Sequence, residues 1–535
     1  MSFSRIPANA GRIRQIHLGL AACLILVGFW LRMQGAASEL WLDEIWSLNI
    51  ALGLDNWHEA FWKQPKDNNH PLNTWWLHMM GAGREPWVYH FLSVILSTAS
   101  IIVTAWLAAR GTAQYAAMRM LSAVTLVAIL YPFVNFGSEA RGYGPMMLFA
   151  LLAYAAVEKP DTRANEARWG YSLAGILGLL SHLSILPILF ALSLYFGLRQ
   201  LGQGRGLIHA LNATVRLNAP FVCGALIFVA GLYYGVQYQG STLQYGGTTV
   251  QCLDQNCFVI ALDEMTRFMV GGFGDNRFGL HSGFYLISIG GGLAWLMAVG
   301  NRRALPLGLI LLGVPALFYA FNQPQFPHGR YFFPVFVFVP LLMIEIFGEL
   351  FKRGRVACFL AVVSFLILIG VNGWAIKQFL DSGRGQYKAA LNYIVQKSNQ
   401  GPLNIGTEMM YQLKTVMDFN QKRYAPDRQI NIIKFKNISQ IKPEWLISVT
   451  IAQKDLRPQA CVGDLLYSLE KAYAHWGMAG TTWGLYRLSD NPVPDGCLWL
   501  TPLPGHLVIS KTTAKPSSKT PPIQSNTPAI RQIDS

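Results

Sequence analysis

Eleven apolar stretches, separated by short polar segments, occupy the first 376 residues of the chain. Those near 145–157, 169–180 and 183–198 are shorter than the ~20 residues that cross a bilayer upright. They need flanking residues to complete a span, or they lie partly buried against neighbouring helices. The pattern predicts an α-helical polytopic membrane protein with about eleven spans. The stretches lie near residues 18–34, 87–109, 116–135, 145–157, 169–180, 183–198, 219–235, 281–300, 304–321, 331–350 and 356–376.

Composition agrees with the apolar pattern and excludes two classes of protein. Of the 535 residues, 52% are hydrophobic and 13% are charged, whereas soluble domains carry about 25% charged residues. A disordered chain needs many charges and few aromatic side chains, and here 13% of the residues are Phe, Trp or Tyr. The chain is therefore neither a soluble multidomain enzyme nor largely disordered.

The net charge of +15 could indicate a nucleic-acid partner, but the positions of the cations favour a membrane. With the N-terminus inside, the cytoplasmic segments carry sixteen Lys and Arg residues, whereas the opposite loops, although longer, carry seven. The positive-inside rule then predicts a cytoplasmic N-terminus. An odd number of spans puts everything after residue 377 on the periplasmic or extracellular side of the cell inner (plasma) membrane. The first stretch is too long for a removed signal peptide and is interpreted as an anchor.

Three regions outside the membrane lie on one side of it: the outer loops 35–86 and 236–280, and the segment that follows the transmembrane domain 1–376. We expect the functional site to face that side, because the cytoplasmic loops are short and basic. The C-terminal pattern predicts a small α/β domain over 377–505 and a disordered tail, rich in Ser, Thr, Pro and Lys, over 506–535. The predicted helices are 386–398, 409–420 and 464–478, and the predicted strands are 403–407, 429–435, 445–450 and 483–488.

The cysteines agree with this sidedness. Four of the seven fall in segments assigned to the outside, where thiols oxidise. We predict two disulfides, Cys252–Cys257 and Cys461–Cys497, and the alternative is four unpaired small residues. The sequence contains no zinc-type cysteine pattern, no Gly-rich phosphate loop and no internal repeat.

Two adjacent carboxylates, Asp43 and Glu44, follow the first span among the apolar residues Trp41, Ile45 and Trp46. Burial beside apolar rings raises the pKa of a carboxyl group and makes it a better base. Apolar spacing from 44 to 62 predicts an amphipathic helix along the membrane interface, with Asp43 at its N-terminus, where the helix dipole favours the ionised form. The alternative is an N-terminal cap with solvated acids.

Three further polar clusters lie on the same side. Lys66, Asp67 and His70 form a charged turn before Trp75 and Trp76, where ordinary loop residues are the alternative. The other two clusters carry arginines at the outer ends of spans, where ionisable residues are costly and suggest function; for them the alternative is snorkelling to lipid headgroups. These clusters are Ser138-Glu139-Ala-Arg141-Gly-Tyr143 and Pro327-His328-Gly-Arg330-Tyr331.

In this order and on one side of the membrane, these features resemble the GT-C glycosyltransferases. The branch concerned contains the protein O-mannosyltransferases, the lipid A aminoarabinose transferases and the bacterial RgtA/B/C/D-like glycosyltransferases. The resemblance covers residues 18–376. The family often has two prolines after the His, where this chain has Pro71-Leu72, a difference that concerns the local backbone. The features that carry it are Asp43-Glu44, Asp67-Asn-Asn-His70-Pro71-Leu72, Ser138-Glu139-Ala-Arg141-Gly-Tyr143 and Arg330-Tyr331-Phe-Phe-Pro334.

The resemblance implies a membrane hexosyl- or pentosyltransferase. Its donor would be a polyprenyl-phosphate-linked sugar, its acceptor a hydroxyl of a glycan, lipid or protein at the outer face, and the transfer would invert the anomeric carbon. The resemblance assigns Asp43 as the general base, with Glu44 as its neighbour in the acidic pair, and both are predicted catalytic residues. Arg pairs bidentately with phosphate oxygens, so fixed cations could stabilise the leaving lipid phosphate. The candidate substrate-binding residues are Lys66, Asp67, His70, Glu139, Arg141, Tyr143, His328, Arg330 and Tyr331.

Cofactor use stays open at this point. Asp43, Asp67 and His70 could coordinate a divalent metal ion, because mixed oxygen and nitrogen ligands suit several metals, but members of this fold differ in whether they need one. A lipid-linked donor arrives through the bilayer, so no nucleotide-binding loop is required.

Two other classes are alternatives to an enzyme: a polytopic transporter or lipid-linked glycan flippase, and a scaffold protein whose outer domain binds partners. A transporter predicts polar or broken segments near the middle of the spans and pseudo-symmetric halves. Neither is clear, although Ser181 with His182 and the glycine run 290–292 are places where such a function could lie. The acidic pair beside aromatic residues argues against a scaffold.

Overall fold

The computed structural model of the protein describes residues 9–63, 68–110, 115–159, 161–239, 256–272, 279–321, 328–450, 456–494 and 497. The predictions for Lys66, Asp67 and Cys252, and for the tail over 506–535, lie outside these residues.

Helices build the membrane part of the chain. Proline occupies the first position of α3 and of α4, where its missing N–H costs no helical hydrogen bond. The helices are α1 (Asn9–Ala36), α2 (Leu42–Leu52), α3 (Pro71–Met80), α4 (Pro86–Ala109), α5 (Ala116–Ile129), α6 (Tyr131–Gly137), α7 (Tyr143–Val157), α8 (Ala164–Ser181), α9 (Leu186–Gly202), α10 (Leu207–Gln239), α11 (Asn256–Met269), α12 (Leu280–Ala298), α13 (Ala304–Gly308), α14 (Val314–Ala320), α15 (Phe333–Phe336), α16 (Val339–Leu350) and α17 (Arg355–Ser382).

All eleven predicted apolar stretches are helical. Six helices among the described residues are long and apolar enough to cross a membrane, and the number rises to eight if two bent pairs each count as one span. These pairs are α5 with α6, bent by 60°, and Gly329–Phe336 with Val339–Arg353, bent by 46°. Because α7 and the apolar helix Ala304–Ala320 are shorter, a total of eleven spans stays a prediction.

The predicted helix over 44–62 is wrong in its length and its surroundings. α2 ends at Leu52, and a separate 3-10 turn covers Trp57–Phe61. Between them the chain turns back, with the backbone N–H of Asp55 donating to the carboxylate of Glu59 at 2.9 Å. Eight of the eleven residues of α2 are buried, because protein covers the helix on both sides.

The centre of the membrane part is α7, in which fourteen of fifteen residues are buried. Its first residue, Tyr143, follows directly on the segment that carries Glu139 and Arg141. Nearby, the fully buried Arg32 of α1 donates to Ser97 Oγ of α4 at 3.1 Å and to the carbonyl oxygen of Val127 of α5 at 2.9 Å. A buried charge needs such partners, so Arg32 fixes these three helices relative to one another.

At the other end of α7, about 22 Å away for fifteen helical residues, four charged side chains form an ion network. Arg303 contacts Glu158 at 3.1 Å and Glu345 at 2.8 Å, and Arg119 pairs with the same Glu345. The network joins the start of α5, the end of α7, the segment before α13 and α16.

The C-terminal part is the small α/β domain that the sequence predicts. Its six-stranded sheet has the order β2-β1-β3-β6-β5-β4. β1 is parallel to β2 and to β3, and the other pairs are antiparallel. The elements are α18 (Tyr387–Lys397), β1 (Leu403–Thr407), α19 (Met410–Tyr424), β2 (Ile430–Lys434), α20 (Ile438–Ile441), β3 (Trp445–Thr450), β4 (Gln459–Val462), β5 (Leu465–Tyr473) and β6 (Thr482–Ser489).

The helix predicted over 464–478 is wrong, because this segment forms strand β5. Its leucines have helical spacing, but the segment lies between β4 and β6 and pairs with both. Such tertiary pairing overrides a local helical preference. The predicted Cys461–Cys497 disulfide is present and ties β4 to the chain after β6. Cys257 is also disulfide-bonded, but its predicted partner Cys252 lies outside the described residues.

One hydrophobic cluster joins the membrane part to the C-terminal domain. Trp41, Ile45 and Leu48, in and just before α2, belong to the same buried cluster as Trp445 of β3 and Trp483 of β6. α2 therefore packs against the sheet domain on one side and faces the membrane helices on the other, which places Asp43 at the junction.

Candidate functional site

Three segments that are distant in sequence meet around one carboxylate. Asp43 Oδ2 accepts a hydrogen bond from Arg141 Nη1 at 3.0 Å and one from Arg330 Nη1 at 2.5 Å. The side chains of Arg141, Asp43 and Arg330 are 7%, 11% and 20% exposed, so the cluster is largely but not fully closed. Two guanidinium groups thus share a single carboxylate oxygen in a partly dry environment.

The two carboxylate oxygens of Asp43 differ in their contacts with the described residues. Among the described residues, Oδ1 accepts no hydrogen bond. Burial disfavours the charged form of Asp43, but Arg330 and Arg141 outweigh burial and lower the pKa of this carboxyl below its usual value. Asp43 is the second residue of α2, as predicted, so the helix dipole acts in the same direction.

Glu44 faces away from the arginine pair. Its carboxylate binds His90 Nε2 at 2.8 Å and accepts from the backbone N–H of Ala140 at 2.7 Å and of Trp41 at 3.1 Å. The last contact closes the N-terminus of α2, in the manner of a capping box. Glu44 therefore links α2, α4 and the segment before Arg141, and both of its oxygens are engaged.

Glu139 is the second acid beside Arg141. It is fully buried, accepts from Trp41 Nε1 at 3.2 Å through Oε1, and lies 3.5 Å from Arg141 Nη1. Its Oε2 has no hydrogen-bond partner among the described residues. Burial raises the pKa of Glu139 to about 7, with the neighbouring Glu44 carboxylate adding to the shift and Arg141 opposing it.

Replacing Glu139 by Gln should make stability less dependent on pH. A carboxyl with a raised folded-state pKa stabilises the fold below its unfolded value of 4.5, and this contribution is lost as pH rises through about 7. The loss amounts to about 3 kcal/mol above that pH. Thermal unfolding of wild type between pH 5 and 8 should therefore show a decline that is smaller in Glu139→Gln. The exposed Glu166→Gln serves as control; equal slopes in wild type and Glu139→Gln would contradict the assignment.

A buried aromatic group flanks the arginines. The His70 ring stacks on His182 with centroids 4.6 Å apart, and the Tyr143 ring lies 4.5 Å from His182. Burial lowers the pKa of both imidazoles, that of His182 to about 3, so both rings are neutral at physiological pH. His70 Nε2 is buried and has no partner among the described residues.

Of the other predicted substrate-binding residues, the structure describes His328 and Tyr331 but not Lys66 and Asp67. Tyr331 follows Arg330 on the 3-10 turn Gly329–Phe332, and His328 is the residue before that turn. Asp67 is one of the three predicted metal ligands, so the structure describes only the other two, Asp43 and His70. Among the residues that the structure describes, no three His, Cys, Asp or Glu side chains are grouped to hold a metal ion.

Several residues of the site were missed from the sequence. Asn68 accepts from Arg141 Nη2 at 2.7 Å and donates to the backbone oxygen of Asp43 at 2.9 Å. Arg384, fully buried after α17, donates to the carbonyl oxygens of Gly35 at 2.9 Å and Asn135 at 2.7 Å. Asn68 could have been found as a neighbour of the motif residue Asp67, whereas Arg384 carried no local signal.

Solved structures of ArnT and of an archaeal oligosaccharyltransferase are among those similar to this chain. ArnT from Cupriavidus metallidurans in the apo state has a TM-score of 0.46 at 12% identity, covering 89% of this chain and 98% of that one. The same protein bound to undecaprenyl phosphate has a TM-score of 0.44, with the same identity and coverage. The apo oligosaccharyltransferase from Archaeoglobus fulgidus has a TM-score of 0.44 at 12% identity, covering 81% of this chain and 69% of that one. Searches of protein-family models and of curated protein sequences return no match. At these values the similarity concerns the overall fold alone.

Proposed function

We propose that the protein is a membrane glycosyltransferase that moves a sugar from a polyprenyl-phosphate-linked donor to an acceptor hydroxyl, with inversion. One observation carries the proposal: Asp43 is held between Arg141 and Arg330, which reach it from two distant segments at 3.0 and 2.5 Å. A base next to two phosphate-binding groups is the arrangement that such a transfer requires.

The charges of the cluster favour an anionic ligand. Two guanidinium groups face one ionised carboxylate, and Glu139 is only partly ionised near neutral pH. The cluster therefore carries excess positive charge in surroundings where charges interact more strongly than in water. A lipid phosphate would balance it, and Arg offers several N–H donors to phosphate oxygens. Arg330 is the more available of the two, since Asp43 is its only hydrogen-bond partner among the described residues.

Asp43 Oδ1 would take the proton of the acceptor hydroxyl. As the acceptor oxygen bonds to the anomeric carbon from the face opposite the phosphate, the bond from that carbon to the phosphate oxygen breaks. Its electron pair leaves with the lipid phosphate, which changes from a monoanion to a dianion. When the donor phosphate draws the guanidiniums toward itself, the pKa of Asp43 rises toward its usual value, which makes the carboxylate a better base at the moment of transfer.

The other residues would hold the substrates or support the base. His70, with its unused Nε2, and Tyr143 form a neutral polar wall beside the arginines, suited to sugar hydroxyls. Glu44 acts as a positioning residue, because it fixes α2 against His90 and Ala140. His328 and Tyr331, and the predicted Lys66 and Asp67, would complete the substrate-binding surface.

The proposed location is the cell inner membrane, with the site on its periplasmic or extracellular side. The count of cations predicts a cytoplasmic N-terminus, and the Cys461–Cys497 disulfide suits an oxidising compartment. The acceptor would then be a glycan, lipid or protein exposed on that side.

Transfer from undecaprenyl-phosphate-linked sugars tests the proposal. Full-length protein in liposomes is given a set of radiolabelled hexosyl and pentosyl undecaprenyl phosphates, with a cell-envelope fraction as the source of acceptors. We expect label to move into the acceptor fraction together with release of undecaprenyl phosphate. If the labelled lipid instead crosses the bilayer and stays intact, the protein is a flippase and the proposal is wrong.

A further inference from the structure

A loop of the C-terminal domain reaches into the membrane part next to the site. It connects β5 to β6 and covers residues 474–481. Its eight residues exceed the two to five that usually join such strands. Two of its side chains, Trp476 and Met478, pack against residues of the membrane helices.

Trp476 packs among three aromatic rings of the membrane part. Its ring centroid lies 5.0 Å from that of Tyr131, 5.4 Å from that of Phe268 and 5.8 Å from that of Trp374, each in an edge-to-face arrangement. Such pairs add stability beyond the area that they bury. They fix the loop against the break between α5 and α6, against α11 and against α17.

The backbone of the loop is fitted to Tyr131. The N–H of Met478 donates to the Tyr131 hydroxyl at 3.0 Å. A Cβ on Gly477, which has φ of 117°, would lie 1.8 Å from that hydroxyl oxygen. Only glycine allows this approach. Tyr131 begins α6, and the other end of α6 leads into the segment with Glu139 and Arg141.

Met478 also contacts the turn that carries Arg330. A Cβ on Gly329 would lie 2.8 Å from Met478 Cε and 2.8 Å from the backbone nitrogen of Met265 in α11. On the same side, the backbone N–H of Gly329 donates to the carboxylate of Glu264. Gly329 is thus enclosed between α11 and the loop, one residue before Arg330.

We propose that the β5–β6 loop, through Met478 and Trp476, positions Arg330 against Asp43, with Glu264 as the second positioning residue. Through this loop the C-terminal domain would take part in the transfer. The loop would position the proposed phosphate-binding residue Arg330 without itself contacting the substrate. That the loop holds the Arg330 turn in place does not depend on the proposed function. The expected effect on donor binding does depend on the proposed function.

Hydrogen exchange and lipid binding together test the proposal. In Met478→Ala and Trp476→Ala, the amides of Gly329–Phe332 should exchange faster, because the hydrogen bond of Gly329 to Glu264 loses its support. The affinity for undecaprenyl phosphate should fall about tenfold, which corresponds to 1.4 kcal/mol. Met478→Leu, which keeps the size of the side chain, should restore both values to those of wild type.

A matched control lies in the same domain. Ile438 is fully buried in a separate cluster away from the loop, so Ile438→Ala should destabilise the domain and leave both readouts unchanged. Unchanged exchange at Gly329–Phe332 in both loop variants, or the same change in Ile438→Ala, would overturn the positioning role. If wild type does not bind undecaprenyl phosphate while exchange responds as expected, the loop does seat the Arg330 turn and the proposed donor is wrong.

Discussion

Sugar transfer by the Asp43→Asn variant should be at least about 100-fold slower than by wild type, at saturating donor. This is the lower end of the contribution of a general base. Asn keeps the shape of Asp and one oxygen for the arginines, but its amide cannot accept the proton of the acceptor hydroxyl. The measurement is kcat for label transfer from the undecaprenyl-phosphate-linked sugar.

Donor binding in the same variant should change in the opposite direction. Removing the negative charge leaves Arg141 and Arg330 without their shared counter-ion, so undecaprenyl phosphate should bind several-fold more tightly. Glu59→Gln is the control, because this acid lies in the same outer loop but pairs with Lys63 at 2.8 Å. An Asp43→Asn variant that retains a tenth or more of wild-type kcat would exclude Asp43 as the base.

Arg330→Ala should lower the affinity for the donor about 10- to 100-fold, the cost of losing a charge-assisted hydrogen bond of 1.5–3 kcal/mol. Arg330 contacts Asp43 alone through hydrogen bonds among the described residues, so its loss disturbs few other contacts. Arg330→Lys should keep the charge but lose the forked geometry, and its affinity should lie between those of wild type and Arg330→Ala.

Comparing Arg141→Ala with Arg330→Ala distinguishes an effect on donor affinity from an effect on the stability of the protein. Arg141 also binds Asn68 at 2.7 Å, so its loss should lower both donor affinity and thermal stability, whereas Arg330→Ala should lower affinity with little effect on stability. Arg353→Ala, on the far side of the membrane part, controls for net charge. Unchanged donor affinity in Arg330→Ala would remove this residue from the proposed site.

The sequence is sufficient to predict which residues form the cluster around Asp43. Asp43, Arg141 and Arg330 are each an ionisable residue next to an apolar stretch, and the rule that such residues are costly applies to each position separately. Their meeting within 3.0 Å confirms that they belong to one cluster. The sequence does not predict that Asp43 contacts the arginines while Glu44 contacts His90, because this depends on which side of α2 faces His90.

Features that depend on tertiary contact could not be predicted. From the sequence, His182 is a polar residue between two short apolar stretches. Its ring stacks on His70 only because α8 packs beside α3. The strand β5 carries helical leucine spacing and becomes a strand through its neighbours. Trp476 and Arg384 belong to segments of ordinary composition, and their importance arises from the membrane helices that surround them.

The ion network of Arg303, Glu158, Glu345 and Arg119 ties several helices together at the end of α7 that lies away from Asp43. Separating these groups would leave buried charges unpaired, which costs several kcal/mol, so the ends of α5, α7 and α16 that meet there should resist separation. In the proposed transfer, the cluster around Asp43 would exchange partners each time a phosphate arrives or departs. If the proposed transfer takes place, we expect the helices to spread at the Asp43 end of α7 when the spent lipid carrier leaves, because the ion pairs hold the other end together.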